Sequence, residues 1–313
     1  MLFYFLGLLA GVASPTQASY NARIREDIRS AYIPALINFI VNSLLLAAAI
    51  IVIEKRLYIP LGEIAAQPFW IWLGGACGTT IIILNIVCVM KLGSARNVML
   101  ICFGQIMLGL IIDHFGMFYS PQIPMSMLRL LGAVLVIAGI VLVNGKDDGQ
   151  VDGSASGGKL LLYIILAVIC GFACSLQIAV NGTLNVYAGS ALKATLISMM
   201  VGLISTGLVM LAVTLIKGPS GIYDEDDPSL RKPFRPWMLG ASLLAIVVVG
   251  SNAIAAPAIG TGVVTILNIV GMMAMGLVID AVGMFGTEKQ PVTVVKVIGM
   301  LLMIAGAAII SLL

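Results

Sequence analysis

The stretch that decides the fold is Ile112-Asp113-His114-Phe115-Gly116-Met117-Phe118, because it returns late in the chain as Ile279-Asp280-Ala281-Val282-Gly283-Met284-Phe285. The two copies share the pattern Ile-Asp-x-x-Gly-Met-Phe at an offset of 167 residues. In each copy the pattern ends a long apolar segment. A pattern that recurs at the end of equivalent apolar segments indicates a duplicated and fused unit.

Further identities extend the repeat in both directions. Nearer the N-terminus the offset is 160, and the longer loop 217–236, compared with 54–69, absorbs the difference. We therefore predict two repeats, 1–143 and 160–313, joined by the Gly/Ser/Asp-rich linker 144–159. The aligned pairs are Gly11 with Gly171, Gln17 with Gln177, Asn21 with Asn181, Asn85 with Asn252, Gly93 with Gly260, Gly104 with Gly271, Gly109 with Gly276, Gly132 with Gly299 and Gly139 with Gly306.

The composition places these repeats in a lipid bilayer. Of the 313 residues, 60% are hydrophobic and 10% charged, and the mean hydropathy is +1.11. Soluble domains are roughly 45–50% apolar and about 25% charged. The formal charge of +3 is too small and too dispersed for a nucleic-acid surface. The composition therefore predicts an all-α integral membrane protein that binds no nucleic acid.

Ten apolar segments are long enough to span a bilayer, and we expect them to be helices because lipid offers no hydrogen-bond partners. Each repeat contains five segments, an odd number, so the second repeat is expected to cross in the opposite sense to the first. Such inverted repeats are common in secondary transporters. The segments are 2–21, 31–53, 70–90, 97–115, 125–143, 160–180, 192–216, 237–256, 262–281 and 292–312.

The orientation in the membrane stays open. Segment 2–21 lacks the positively charged start of a signal peptide, and the repeat reproduces it in mid-chain, so we expect it to be retained as a helix. Most Lys and Arg residues fall in the odd-numbered loops, which favours both termini outside. The five cysteines lie in apolar runs and are expected to be packing residues.

Recurring amides are the first candidate binding residues. Gln17 and Asn21 are four residues apart and share one helical face, as do Gln177 and Asn181. Pro15 removes a helical hydrogen bond and creates a candidate helix break, whereas the second repeat has Ser175 in its place. The alternatives are that the amides hydrogen-bond across helices as packing contacts, or that each Asn ends its helix at the interface.

Three more amides and two carboxylates complete the candidate set. Asn85 and Asn252 recur and are predicted to line the same cavity, to which we add Gln105, although its repeat equivalent is Met272. Asp113 and Asp280 recur near helix C-termini, where the helix dipole disfavours a carboxylate. They are candidates for coupling or gating; each could instead pair with a loop Arg or Lys, or lie in interfacial water.

The sequence contains no phosphate-binding loop, zinc motif, nucleophile elbow or dinucleotide fingerprint, so we expect no enzyme activity and no cofactor or metal. The acidic run 224–227 stands in a Pro- and Gly-rich loop and is predicted to be solvated.

These motifs resemble the YdcZ-type branch of the drug/metabolite transporter superfamily, in its duplicated ten-helix form. The resemblance rests on Gly11-x-x-x-Pro15-x-Gln17-x-x-x-Asn21, Gly74-Gly75, Gly104-Gln105 and Asp113-His114-Phe115-Gly116. It implies a bacterial inner-membrane protein with two inverted five-helix halves around a central cavity. It also implies cytoplasmic termini, against the charge distribution. No acidic residue occurs before Asn21, so the first-helix glutamate mechanism of small multidrug exporters does not transfer.

The resulting hypothesis is a secondary transporter that works by alternating access. Its partners are the lipid bilayer, a small polar or metabolite-like solute and, as an open alternative, a proton or cation gradient. A passive channel for a small ion also suits inverted halves, and a non-transporting membrane scaffold is a third possibility. Substrate, direction, coupling ion and oligomeric state stay open.

Overall fold

The computed structural model describes residues 1–30, 32–55, 59, 61–92, 94–144, 158–223, 232–233, 235–282, 284 and 293–311. Over these residues the chain forms helices and turns and no strand. Most of the predicted linker, the acidic run 224–227, and the residues Gly283 and Phe285 of the second repeated stretch lie outside the described residues.

A long helix coincides with each of the ten predicted segments. The helices of the first repeat are α1 (Leu2–Ile28), α2 (Ile33–Glu54), the short α3 (Leu61–Ala65), α4 (Leu73–Leu92), α5 (Ser94–Phe115) and α6 (Met127–Asn144). Those of the second are α7 (Gly158–Ala188), α8 (Ala191–Lys217), α9 (Gly240–Ile259), α10 (Thr261–Val282) and α11 (Val294–Ser311). Single 3₁₀ turns occur at Phe69–Trp72, Met117–Tyr119, Pro219–Ile222 and Pro236–Leu239.

Among the described residues, six helical stretches are long and apolar enough to cross a membrane: Ile33–Glu54, Asn97–Phe115, Lys159–Ala188, Ala191–Lys217, Pro236–Ile259 and Thr261–Ile279. Three shorter apolar stretches coincide with further predicted spans, namely Phe69–Asn85, Met127–Val143 and Val294–Ile310. These three stretches and α1 remain predicted spans. Many large aliphatic side chains on the outside of the helices are exposed, as expected for a surface that faces lipid.

α1 and α7 run further than hydropathy predicts, to Ile28 and Ala188 instead of 21 and 180. In α1 the added residues 22–28 include Arg and Glu, which have good helix propensity, so that helix continues past the end of its apolar stretch. In α7, Leu184 and Ala188 are buried and pack the added turns against neighbouring elements. Asn21 and Asn181 therefore lie inside helices, which contradicts the alternative that each ends its helix. α1 also continues without a break through Pro15.

The helices pack mainly across the two repeats, in a pattern with two-fold symmetry. α1 contacts α9 and α10, and the equivalent helix α7 contacts α4 and α5. α2 packs against its equivalent α8, and α6 packs against its equivalent α11. Exchanging the two repeats reproduces each of these contacts, so both halves contribute helices to the same interior.

Glycines allow the closest of these crossings. A Cβ atom added at Gly11 would overlap the backbone carbonyl of Asn268 on α10, and one added at Gly171 would overlap that of Ile101 on α5. Asn268 and Ile101 are themselves equivalent in the repeat, at an offset of 167. Small residues at such crossings let helix backbones approach closely in membranes.

Candidate functional site

In the first repeat, the predicted amide of Asn21 belongs to a chain of hydrogen bonds. Asn38 on α2 donates from Nδ2 to Oδ1 of Asn21 at 2.8 Å. Ser242 on α9 then donates to Oδ1 of Asn38 at 3.1 Å, and both of these donors are buried. Asn21 is thus held by one helix of its own repeat and, through Asn38, by one helix of the other.

Gln17, one turn before Asn21, is half-buried on α1. Its side-chain amide forms no hydrogen bond with the described part of the chain. A half-buried amide carries donors and an acceptor that need partners, from water or from a bound molecule. Gln17 therefore carries donors and an acceptor that the described part of the chain does not use.

The equivalent amides of the second repeat lie against α4. Gln177 donates from Nε2 to the carbonyl oxygen of Gly74 at 2.9 Å. A Cβ atom at Gly74 would overlap Oδ1 of Asn181 and come within 3.3 Å of Oγ of Ser198 on α8. The Gly74-Gly75 pair that the sequence singles out therefore makes room for the polar groups of α7 and α8.

Two side-chain oxygens beside Gly74 have no hydrogen-bond partner among the described residues. They are Oδ1 of Asn181, whose side chain is 1% exposed, and Oγ of Ser198, which is 2% exposed. Each buried and unsatisfied group costs about 1–3 kcal/mol. A polar partner bound between α4, α7 and α8 would remove this cost.

Ser175, which replaces Pro15 in the second repeat, connects three helices. Its hydroxyl donates to the backbone carbonyl of Gln105 on α5 at 2.7 Å and lies 3.3 Å from the hydroxyl of Thr265 on α10. Gln105 itself is buried, and its side-chain amide forms no hydrogen bond within the described residues. Ser175, at a position where the two repeats differ, thus joins α7 to one helix of each repeat.

The recurring asparagines Asn85 and Asn252 each pair with an asparagine that the repeat does not predict. Asn97 donates to Oδ1 of Asn85 at 2.7 Å, and Asn268 donates to Oδ1 of Asn252 at 3.0 Å. At an offset of 167, Asn97 aligns with Val264, and Asn268 aligns with Ile101. Comparison of the repeats alone therefore missed both partners, although an Asn inside an apolar helix is itself a signal.

Asp113 forms a buried ion pair. Its Oδ2 lies 3.0 Å from Nη2 of Arg129 on α6, and the two side chains are 0% and 1% exposed. Nη1 of Arg129 also donates to the carbonyl of Ile123 at 2.8 Å. The sequence left open whether Asp113 pairs with a basic residue or lies in interfacial water. In the structure it pairs with Arg129 and is shielded from solvent.

The second oxygen of Asp113 lies at the start of α10. Oδ1 accepts the backbone N–H of Gly262 at 3.0 Å. The N-terminus of a helix carries a partial positive charge, so α10 stabilises the carboxylate that the C-terminus of its own helix α5 disfavours. Gly260, just before α10, has a φ of +86°, and a Cβ atom there would lie 3.0 Å from Oδ2 of Asp113. The side chain of the equivalent Asp280 lies outside the described residues.

The candidate residues thus form several small clusters and not one contiguous ring. Within the described residues, no hydrogen bond joins the amides of Gln17 and Asn21 to those of Gln177 and Asn181. Each cluster nevertheless contains side chains from at least two helices, and the clusters around Asn21, Gln177 and Asp113 include helices from both repeats. The sequence identified the recurring members and missed Asn97, Asn268 and Arg129, which have no identical equivalent in the other repeat.

Comparison with known proteins gives one family and one fold. The sequence model of a family described as "Putative inner membrane exporter, YdcZ" matches residues 2–142 and 162–309, in two parts on either side of the linker. No curated protein matches the chain. A solved structure, described only as a crystal structure of a protein, superposes with a TM-score of 0.68 at 15% identity. The superposition covers 99% of this chain and 96% of the solved chain, and the likeness concerns the fold alone.

Proposed function

This chain belongs to the YdcZ family of inner membrane exporters, and we propose that it is a secondary transporter that moves a small polar solute by alternating access. It is a multi-pass inner membrane protein. We propose further that ten helices cross the membrane as two inverted repeats, residues 1–143 and 160–313, joined by the linker 144–159. The contact pattern in which exchange of the repeats reproduces the helix pairs supports the division into two repeats, and the odd number of predicted spans in each repeat supports their inversion.

The proposal rests above all on the amides that recur on α1 and α7. Gln17 has no partner in the described part of the chain, and Oδ1 of Asn181 is buried without one. Uncharged donors and acceptors inside apolar helices suit a neutral or zwitterionic solute, because such groups can replace its hydration without adding net charge. Gln17, Asn21, Gln177 and Asn181 would contact the solute, while Asn85, Asn252 and Gln105 would line the path.

Asp113 and Asp280 are proposed as gating or coupling residues. The pair of Asp113 with Arg129 joins α5 and α6 to the start of α10, so it links the two repeats. A motion of one repeat against the other, as alternating access requires, would change this contact. The lack of any carboxylate near Gln17 in sequence argues against coupling through the first helix.

The direct test is flux into liposomes that contain the purified protein, measured for a panel of small solutes with and without an imposed proton gradient. Gln17→Ala should reduce flux of the transported solute at least tenfold, because the solute would lose its contact with the side-chain amide of Gln17. Gln67→Ala is the matched control, since that half-buried amide lies in the loop after α3, away from the candidate clusters, and donates to the backbone carbonyl of Glu63. Equal flux in the two variants would reject the binding role of Gln17.

The same assay separates the proposal from its rivals. A transporter should saturate with solute and show exchange with unlabelled solute on the other side. Non-saturable current far above alternating-access rates would instead identify a channel, and inertness toward the whole panel would favour a scaffold.

A further inference from the structure

A small cavity of about 90 Å³ lies between the two repeats, away from the recurring amides. Its walls come from α7, α9 and the turn that follows α5, and include Tyr119, Ala179, Thr183, Tyr187, Ala256 and Pro257. At its rim Tyr119 and Val186 are more than half exposed, so the cavity opens to the outside. On α7, Ala179, Thr183 and Val186 occupy the face opposite to that of Gln177 and Asn181.

The lining of the cavity is apolar and uncharged. Within the described part of the chain no charged side chain lines it. Its two aliphatic hydroxyls are engaged elsewhere, because Thr183 donates to the carbonyl of Phe118 and Ser120 shares a hydrogen bond of 2.9 Å with Thr261. The surface offered to a guest is therefore aliphatic carbon and the rings of Tyr119 and Tyr187. An isolated charge would be costly to desolvate here, whereas a neutral apolar group would not.

The size of the cavity limits the guest further. An apolar cavity of roughly 150 Å³ accommodates benzene. A cavity of about 90 Å³ can enclose a compact aliphatic group, whereas an aromatic ring would extend past the exposed rim at Tyr119 and Val186 and be only partly enclosed.

The wall formed by the turn after α5 has an unusual backbone. Phe118 and Tyr119 both have φ of 57°, in the left-handed region that non-glycine residues rarely occupy. The turn is held by the hydrogen bond from Thr183 to Phe118 and by Trp70, whose ring lies 5.2 Å from that of Phe118 and 5.3 Å from that of Tyr119. Such strained conformations persist where the surroundings determine them, and they concentrate at binding sites and switches.

We propose that this cavity is a second solute subsite, which binds a neutral, compact aliphatic group more tightly than an aromatic ring. It depends on the proposed transport function for its role, since a cavity between the repeats lies where a solute path would run. The polar amides then bind one part of the solute at one stage of transport, and this subsite binds its aliphatic part at the surface of the protein.

Binding can be measured directly through Trp70. The protein has three tryptophans, so the Trp72→Phe/Trp237→Phe background leaves Trp70 as the only one, with its ring against that of Tyr119. Titration with isobutanol should give a saturable change in Trp70 fluorescence, and benzyl alcohol should need at least a tenfold higher concentration for the same change. A linear response to isobutanol, or equal midpoints for the two alcohols, would overturn the proposal.

A cavity-filling variant and a matched control complete the experiment. Ala179→Leu adds three carbons inside the cavity and should raise the isobutanol midpoint at least tenfold. Ile169→Phe adds as many carbons on the exposed side of α7 and should leave the midpoint unchanged. If Ala179→Leu does not fold, Val186→Phe fills the cavity from its exposed rim and should have the same effect. Equal midpoints in the filled and control variants would reject the subsite.

Flux measurements in the same variants distinguish the two proposals. If wild-type protein transports solutes and Ala179→Leu does so at the same rate and affinity, the subsite proposal fails while the transport proposal stands. If wild-type protein transports no solute of the panel but binds isobutanol saturably, the transport proposal fails and the cavity remains an aliphatic binding site.

Discussion

At the scale of single residues, the ion pair of Asp113 with Arg129 sets the strongest electrostatic constraint in the described part of the chain. Both side chains are almost completely buried, and the carboxylate has a second partner in the backbone of α10. Removing one partner of a buried pair leaves the other charge without compensation, which costs about 3–5 kcal/mol. Replacement of both partners avoids most of that cost, because no charge then remains in the interior.

We therefore expect Asp113→Asn to lower the free energy of unfolding by about 3–5 kcal/mol, with Asp113→Asn/Arg129→Gln closer to wild type. Unfolding in detergent by heat or denaturant measures both variants. The pH dependence of flux provides the functional measurement: a coupling carboxylate changes the profile when it is neutralised, whereas a purely structural one changes only the stability. An unaltered profile in the folded single variant would remove Asp113 from coupling and leave it as a structural contact.

What the sequence could predict at this scale depended on repetition. Gln17, Asn21, Asn85 and Asp113 were found because each has an equivalent in the other half. Their partners have diverged between the halves: Arg129 aligns with Lys296, and Asn38 aligns with Ser198. Divergence hides a partner from self-comparison, and only the three-dimensional packing of α2, α6 and α10 shows which side chain reaches which.

At the scale of helices, the existence of all ten segments was predictable and their ends were not. Apolar length identifies a helix that can enter lipid, but the helix stops only where its backbone hydrogen bonds stop. α1 continues for about two further turns of mixed polar and apolar residues to Arg29, which adopts a left-handed conformation with φ of 57° and ends the helix. Nothing in the hydropathy of residues 22–28 indicates that end point.

Helix crossings give a prediction at the same scale. Gly171 on α7 lies against the backbone of Ile101 on α5, and a backbone carbonyl cannot move aside as a flexible side chain can. Gly171→Ala should therefore destabilise the protein by about 1–3 kcal/mol. Gly207→Ala on α8 is the control, because no atom lies within 4 Å of its added Cβ; it should be neutral or stabilise the helix by up to about 1 kcal/mol. Thermal unfolding of the two variants side by side tests this, and equal stabilities would contradict the close crossing.

At the scale of the whole molecule, the contacts between equivalent helices do not by themselves decide how the halves lie in the membrane. A two-fold axis along the membrane normal and one in the membrane plane both exchange α1 with α7 and α6 with α11. The number of crossings in each half distinguishes them. If each half crosses an odd number of times, the second half starts on the opposite side from the first, and only the axis in the plane is possible.

This parity predicts a simple labelling result. With five crossings per half, the linker 144–159 must lie on the opposite side of the membrane from the N-terminus, while the C-terminus returns to the same side as the N-terminus. An impermeant thiol reagent is applied to intact cells that carry a cysteine-free variant with a single cysteine at Leu2, Ser154 or Leu313, so that each position is measured independently. Residue 154 should label in the opposite sense to both ends. Labelling of all three from one side would mean an even number of crossings in each half. The repeats would then be parallel, and the in-plane axis that alternating access through inverted halves requires would not exist.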